Sequence, residues 1–334
     1  MTTLAPAAIA EADASAILRE AGRRVEPALR SAVERLSPPL RAPVFHHFDG
    51  GGKGIRAALT LRSATATGAA EETALVGAVA IELVHNFSLI HDDIIDGDRE
   101  RRHRPTVWSE FGVGRAIIAG DALASLALEL LLEDPTPERV GAAHCLADAT
   151  GAMIAGQADD MAFESRRSVS VAECLDMVRG KTSALFACAA SLGSILAGAQ
   201  DETVAALARF GSQLGLAFQA VDDILGIWGE PTRTGKPVGS DLVTHKKSLP
   251  VAIALAQNDR IRSELARLLD DDLNPADVER ARALLDSCGA QEKTMDLAAA
   301  SLEDALAALD QVPLAPAPKG DLVALTRFVT ERRR

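Results

Sequence analysis

An all-α fold is what this sequence predicts, and three observations lead to it. Apolar residues recur at spacings of three and four along almost the whole chain. Ala, Leu, Val and charged residues make up its bulk, a mixture that favours helix. Nowhere does a run of β-branched alternation lie between hairpin-turn signals.

The elements follow in order. "AILREAGRRVEPALRSAVERL" (16–36) reads as an opening helix, with residues 1–15 expected to be flexible. "DGGGKG" (49–54) is a glycine-rich loop that leads into a helix. "ETALVGAVAIELVHNFSLIHDDIID" (72–96) is a helix too apolar all round to lie on a surface, and "AIIAGDALASLALELLLE" (116–133) is another buried one. Helical spacing continues through 138–162, 171–197, 201–228, 248–269, 275–288 and 291–309. "GEPTRTGKPVGSD" (229–241) carries too many Gly and Pro residues to be anything but a loop, and "QVPLAPAPKGD" (311–321) reads as a linker to a short last helix. No cluster of breakers separates halves of different composition, so a single domain over 1–334 is expected.

Composition narrows the function. The formal net charge of −12 argues against nucleic acid as a partner. No run of 18 or more uninterrupted apolar residues suggests a transmembrane segment, and "MTTLAPAAIAEADAS" lacks the basic start of a signal peptide. A cytoplasmic location is therefore expected. The cysteines Cys145, Cys174, Cys188 and Cys288 form no CxxC pair, so zinc is not expected.

Chemistry concentrates in "HDDIIDGDRERRHRPT" (91–106), where carboxylates run directly into arginines. Asp92 and Asp96, four residues apart, share a helix face with Leu89 and His85. Two carboxylates on one turn of a buried helix raise each other's pKa, and a divalent cation removes that cost. Oxygen-only ligands suit Mg²⁺, which commonly bridges carboxylates to phosphates. A second helix, ending "AFQAVDDILG" (217–226), carries Asp222 with Asp223 behind it, and the two acidic ends could face one another across a cavity. Basic residues fall into groups at Lys53 and Arg56, Arg101 and Arg102, Lys181 beside Thr182, and Lys236 and Lys246. Arg suits bidentate phosphate recognition and Lys supplies a compact charge. "GGGKG" is not a P-loop, since it follows no strand and lacks the required spacing.

These motifs, in order, resemble those of the trans-isoprenyl diphosphate synthases, or polyprenyl synthetases. The resemblance covers roughly 45–255: "GGKGIR" (51–56), "LIHDDIIDGDRERRHRPT" (89–106), "AGD" (119–121), "GQADD" (156–160), "KTS" (181–183), "FQAVDDILG" (218–226) and "GKPVGSDLVTHKKSLP" (235–250). It implies an isoprenoid-synthase-type helical bundle around a deep central cavity, a homodimer, and head-to-tail condensation of an allylic diphosphate with isopentenyl diphosphate. It implies Mg²⁺, as three ions, held by Asp92, Asp96 and Asp222. Arg101, Lys181, Thr182, Gln219, Lys236 and Lys246 match positions that grip or orient the allylic substrate. Lys53, Arg56, His85 and Arg102 match the isopentenyl diphosphate site, and Asp160 matches a position near the cavity wall. By the same resemblance, Thr182 and Gln219 offer oxygen dipoles near an allylic cation, departing diphosphate takes the final proton, and the Lys236 loop is a candidate lid.

Three positions depart from the family pattern. Gly54 stands where a cation is usual, Gly226 replaces the last acid of a second DDxxD, and Glu230 stands where Asp is common. Phe87, about 7.5 Å upstream of Asp92 along a helix axis, followed by small Ser88, resembles the pattern of short-chain synthases that make the C20 geranylgeranyl diphosphate. Phe87 is then expected to form part of the cavity floor. The alternatives are a farnesyl diphosphate synthase, a class I terpene cyclase needing no second anion site, and a non-catalytic partner subunit.

Overall fold

The computed structural model describes residues 13–52, 54–230, 238–270 and 273–331. The chain runs α1 (Ala14–Val33), α2 (Pro38–Phe48), α3 (Ile55–Ala66) and α4 (Glu71–Ile95). A hairpin of β1 (Glu100–Arg101) and β2 (Arg104–Pro105) precedes α5 (Val107–Phe111), α6 (Val113–Leu132), α7 (Pro137–Glu164) and α8 (Val171–Val178). A π-helical turn (Arg179–Ser183) joins α8 to α9 (Ala184–Leu196), and α10 (Asp201–Trp228) follows. After it come α11 (Ser240–Val243), α12 (Leu249–Leu255), α13 (Asp259–Leu269), α14 (Pro275–Ser287), α15 (Ala290–Asp310) and α16 (Pro316–Glu331).

The all-α reading holds, with four local corrections. Ala14 and Ser15 are already helical, because the Asp13 side chain accepts from the Ser15 amide and caps α1 earlier than the apolar spacing suggested. The 248–269 segment is two helices, since Asn258 caps a new start by accepting from the Ile261 amide at 3.1 Å. The 311–321 linker shrinks to a turn: Pro316 opens a helix of 16 residues, anchored where the Ala315 amide donates to the Ala66 carbonyl at 2.8 Å. A short antiparallel hairpin exists where none was expected, with Arg101 paired to Arg104. Its two turn residues, Arg102 and His103, have φ of 53° and 62°. Positive φ at both is what a tight hairpin demands, usually of Asn and Gly, so no turn signal was present in the sequence. Most of the expected 229–241 loop lies outside the described residues, but its end, Ser240–Val243, forms a helical turn.

α4 and α10 carry the two acidic motifs, and both are core helices. Ile81, Leu83 and Ile90 of α4 are fully buried, as are Phe210 and Leu214 of α10. α4 has the length and hydropathy of a membrane-crossing helix. It packs instead against α3, α6 and α9, which explains the lack of a polar face. α9, lying against α3, α7 and α10, closes the centre of the bundle. A second buried cluster, including Leu242, Val251, Leu265 and Leu285, packs on the end of α10 through Ile227.

One close crossing sets the site. A Cβ on Gly156 of α7 would sit 2.2 Å from the Lys181 amide nitrogen, so α7 touches the backbone of the π turn directly. The glycine of "GQADD" is thus a packing requirement. Gly156→Ala gains about 1 kcal/mol of helix propensity. It drives a methyl into backbone that cannot yield, which costs on the order of 1–3 kcal/mol or more. We expect a net loss of stability, read as a lower urea midpoint at unchanged m-value.

Candidate active site

The first motif is organised by its buried middle acid. Asp93, 1% exposed, accepts a 2.7 Å hydrogen bond from Arg101 Nε. That bond ties the end of α4 to the hairpin and leaves Asp92 and Asp96 on the other side. Asp96 is the C-cap residue of α4. Burial pushes the Asp92 carboxyl up to about 6, opposed by Lys181, with Asp96 adding to the rise. Both acids also stand at a helix C-terminus, where the macrodipole is negative.

On α10, Asp223 is the anchoring member of its pair. It accepts from Gln219 Nε2 at 2.8 Å and from the Leu249 amide at 2.9 Å, and burial pushes its carboxyl up to about 7. Asp223 is thus committed to holding α10 against α12 and is not a spare ligand behind Asp222. Gln219 is committed too: its Oε1 accepts from the Thr182 hydroxyl at 2.7 Å. The expectation that both Thr182 and Gln219 present oxygen dipoles is corrected to this extent, since the Gln219 oxygen is turned to Thr182. Lys181, next along the π turn, donates to Asp160, which gives the second acid of "GQADD" its role.

Lys246 joins the two motifs. Its ammonium lies 3.7 Å from Asp96 Oδ2. Burial works against its charge, but Asp96, Asp241, Asp160 and Asp223 together outweigh burial and push its pKa up. Acids from both motifs, Asp96 and Asp223, thus act on the same cation, together with Asp160 of α7 and Asp241 of α11.

The second cationic group lies beside α3. Arg56 Nη1 is 3.2 Å from His85 Nε2, and its guanidinium stacks 4.5 Å from the centre of the Phe186 ring. A guanidinium only donates, so His85 accepts and is neutral. Burial, reinforced by Arg56, holds the His85 pKa well down. Burial also lowers Arg56 to about 10, with Glu82 opposing. Glu82 accepts from the Ala57 amide at 3.1 Å, so it satisfies the start of α3 and offsets Arg56 at once. Arg102, at the hairpin tip, reaches the Gly50 carbonyl at 3.4 Å and thereby borders the glycine loop. Gly54 has φ of 62° and is the N-cap of α3, so glycine suits the backbone there beyond any loss of a cation.

Lys53 and Lys236 lie outside the described residues. Phe87 is 8% exposed and meets His91 edge-on at 4.9 Å, while Ser88 turns its hydroxyl back to the His85 carbonyl. His91 is structural: Nε2 is 3.0 Å from the Ile117 carbonyl, and a Cβ on Gly120 would lie 2.3 Å from that nitrogen. The "AGD" motif makes room for it. Sequence reasoning does not single out Glu82 or Asp241. Both leave a signal: Glu82 is a lone acid one turn before His85 in an otherwise apolar run, and Asp241 lies inside "GKPVGSDLVTHKKSLP". A recess of about 310 Å³ bounded by Glu164, Arg166, His245 and Asp270 contains none of the motif acids.

The donor set fits magnesium. Asp92, Asp96 and Asp222 offer only carboxylate oxygen, and the buried Asp92 charge needs a cation. Among the described residues no three His, Cys, Asp or Glu side chains converge closely enough to hold a metal unaided.

Asp92 titrates near 6 in the fold and near 3.8 when unfolded, so the folded chain holds the extra proton between those values. Its contribution makes stability fall as pH rises through that window. In chelator at pH 8, Asp92→Asn should raise Tm by about 2–6 °C, with the gain vanishing near pH 4. Magnesium with pyrophosphate should reverse the order.

Comparison with known proteins agrees with this geometry. A family model described as polyprenyl synthetase matches residues 37–286. The chain is 40% identical to a (2E,6E)-farnesyl diphosphate synthase of Mycobacterium tuberculosis over 333 residues, covering 95% of this chain and 93% of that protein. It is 41% identical to a geranylgeranyl diphosphate synthase of the same organism over 332 residues, with the same coverage. The crystal structure of a polyprenyl synthetase from Streptomyces coelicolor A3(2) superposes with a TM-score of 0.91 at 44% identity, covering 95% and 99% of the two chains. With acids on two core helices meeting around a shared lysine and a separate arginine–histidine pair alongside, the chain belongs to the polyprenyl synthetase family and is a prenyltransferase.

Proposed function

We propose that this chain condenses isopentenyl diphosphate with an allylic diphosphate, head to tail, and stops at the C20 geranylgeranyl product. The observation that carries the condensation is the presence of two separate cationic groups. Lys181, Lys246 and Arg101 stand around the acids, and Arg56, His85 and Arg102 stand beside α3. A terpene cyclase handles one diphosphate and has no use for the second group.

Each side chain then has a task. Asp92, Asp96 and Asp222 would hold magnesium, as three ions, beside the allylic diphosphate. Bound there, magnesium supplies Lewis-acid stabilisation of the departing diphosphate. Lys181 is held by Asp160 and Lys246 by Asp96, so both are oriented before substrate arrives. Arg56 and Arg102 bind the second diphosphate, and neutral His85 donates or accepts without adding charge. Thr182, fixed by Gln219, places its hydroxyl oxygen toward the allylic carbons. The apolar faces of α4, α9 and α10 exclude water that would trap the cation.

Two features support the C20 stop. Phe87 is nearly buried and braced by His91, and Ser88 leaves the next position open. A C15 stop is the second reading, favoured by the 40% identity to the farnesyl synthase. Incubating the purified chain with Mg²⁺, isopentenyl diphosphate and C5, C10 or C15 primers, then resolving the dephosphorylated products, decides between them. Geranylgeraniol from all three primers is expected. Phe87→Ala should lengthen the product by at least one C5 unit; an unchanged profile would remove Phe87 from the floor.

A homodimer is part of the same proposal. Ile117 and Ile118 of α6 and Ile154 and Met161 of α7 are large apolar side chains exposed on the described chain. Ile118→Glu should shift the particle from dimer to monomer mass in light scattering.

A further inference from the structure

Two of the four cysteines are brought together by the fold, although they stand 43 positions apart in sequence. Cys145 on α7 and Cys188 on α9 have their Sγ atoms 3.5 Å apart, and Ser191 Oγ lies 3.8 Å from Cys145 Sγ. The pair sits between two close contacts of the same helices. One turn before Cys145, a Cβ on Gly141 would meet Ile195 at 3.5 Å, and farther along α7 Gly156 touches the Lys181 backbone. The two helices thus run close on both flanks, as a disulfide requires of the elements that carry it. The two sulfurs are unequal. Cys145 is half-buried, while Cys188 is 2% exposed. Their shared hydrogen bond lowers the Cys145 thiol pKa against the effect of burial, while that bond and burial push the Cys188 thiol well up. Cys145 is therefore the more accessible and more readily ionised sulfur, with Cys188 placed to resolve it. Cys174 and Cys288 differ: each donates to a backbone carbonyl, that of Lys247 at 3.3 Å and that of Leu285 at 3.2 Å.

We propose that Cys145 and Cys188 form a modification site for peroxide and close to a reversible disulfide that fastens α7 to α9. The Cys145 thiolate attacks one peroxide oxygen, the O–O bond breaks, and hydroxide leaves, giving a sulfenic acid at Cys145. That hydroxide takes the Cys188 proton. The Cys188 sulfur then attacks the Cys145 sulfur and displaces a second hydroxide, which takes up the proton that Cys145 had released. Two thiols are oxidised by two electrons in all, and peroxide is reduced to two waters. Closure needs the sulfurs to approach from 3.5 Å to a bond of about 2.05 Å. α7 carries Asp160 and the turn before α9 carries Lys181, so the tie braces the helix pair beneath that contact.

The test uses the full-length chain, reduced, freed of reductant and treated with about one equivalent of hydrogen peroxide. Its mass should fall by about 2 Da, the two thiol hydrogens. Peptide mapping should find Cys145 joined to Cys188, with Cys174 and Cys288 still open to alkylation. The oxidised chain should unfold about 3–6 °C higher than the reduced one, because the bond closes a long loop. Dithiothreitol should reverse both changes. Cys188→Ala removes the resolving sulfur, so Cys145 should stop at the sulfenic acid, be captured by dimedone, and bring no gain in Tm. The mass of the native chain decides the matter even where a variant misfolds. Unmodified thiols, a sulfinic acid at Cys145, or a disulfide that uses Cys174, Cys288 or a second chain overturns the proposal. So does a Cys145–Cys188 disulfide that leaves the unfolding midpoint unchanged or lower.

Discussion

Negative charge gathered at the C-terminal ends of two buried helices is the constraint on which this structure turns. Asp92 and Asp96 close α4, and Asp222 and Asp223 stand in the last two turns of α10. Burial and like charge disfavour the ionised form of Asp92 and of Asp223, and the helix dipole adds to that. The chain relieves part of that cost internally. Arg101 takes Asp93, and the Leu249 amide with Gln219 takes Asp223, so one acid of each pair is committed to structure. Asp96 meets Lys246, and the buried Asp92 faces the opposing charge of Lys181.

The positive side follows the same economy. Lys181 and Lys246 are held by acids, while Arg56 is flanked by Glu82, His85 and an aromatic face. Cations are thereby fixed in place before any anion binds, which lowers the reorganisation that catalysis requires. Two groups of cations around one acidic centre suit two diphosphates, one that leaves and one that stays.

How much of this could be read in advance depended on the kind of interaction. The long helices were legible because apolar spacing in α4, α6 and α10 is dense and uninterrupted. Asp92, Asp96, Lys181 and Lys246 were legible because they sit in ordered motifs. Partners brought together only by folding were not. Nothing local in "DDILG" shows that Leu249, twenty-six residues on, donates to Asp223. The hairpin was hidden because its turn is made by Arg and His, residues that rarely take positive φ. From the sequence pattern alone, Gly226 and Gly54 are losses. The space around the first and the backbone angle of the second show that each glycine is needed where it is.

The π turn at Arg179–Ser183 has a consequence for how such a site arises. A π turn holds one residue more than the α-helical turn it interrupts. Removing a single residue from it would restore a regular helix and rotate everything on one side by about 100°. The Thr182 hydroxyl would then swing away from Gln219, and Lys181 from Asp160, with no change in composition. A one-residue insertion into an ancestral helix is therefore enough to aim two neighbouring polar groups into an interior that the regular coil would have left greasy.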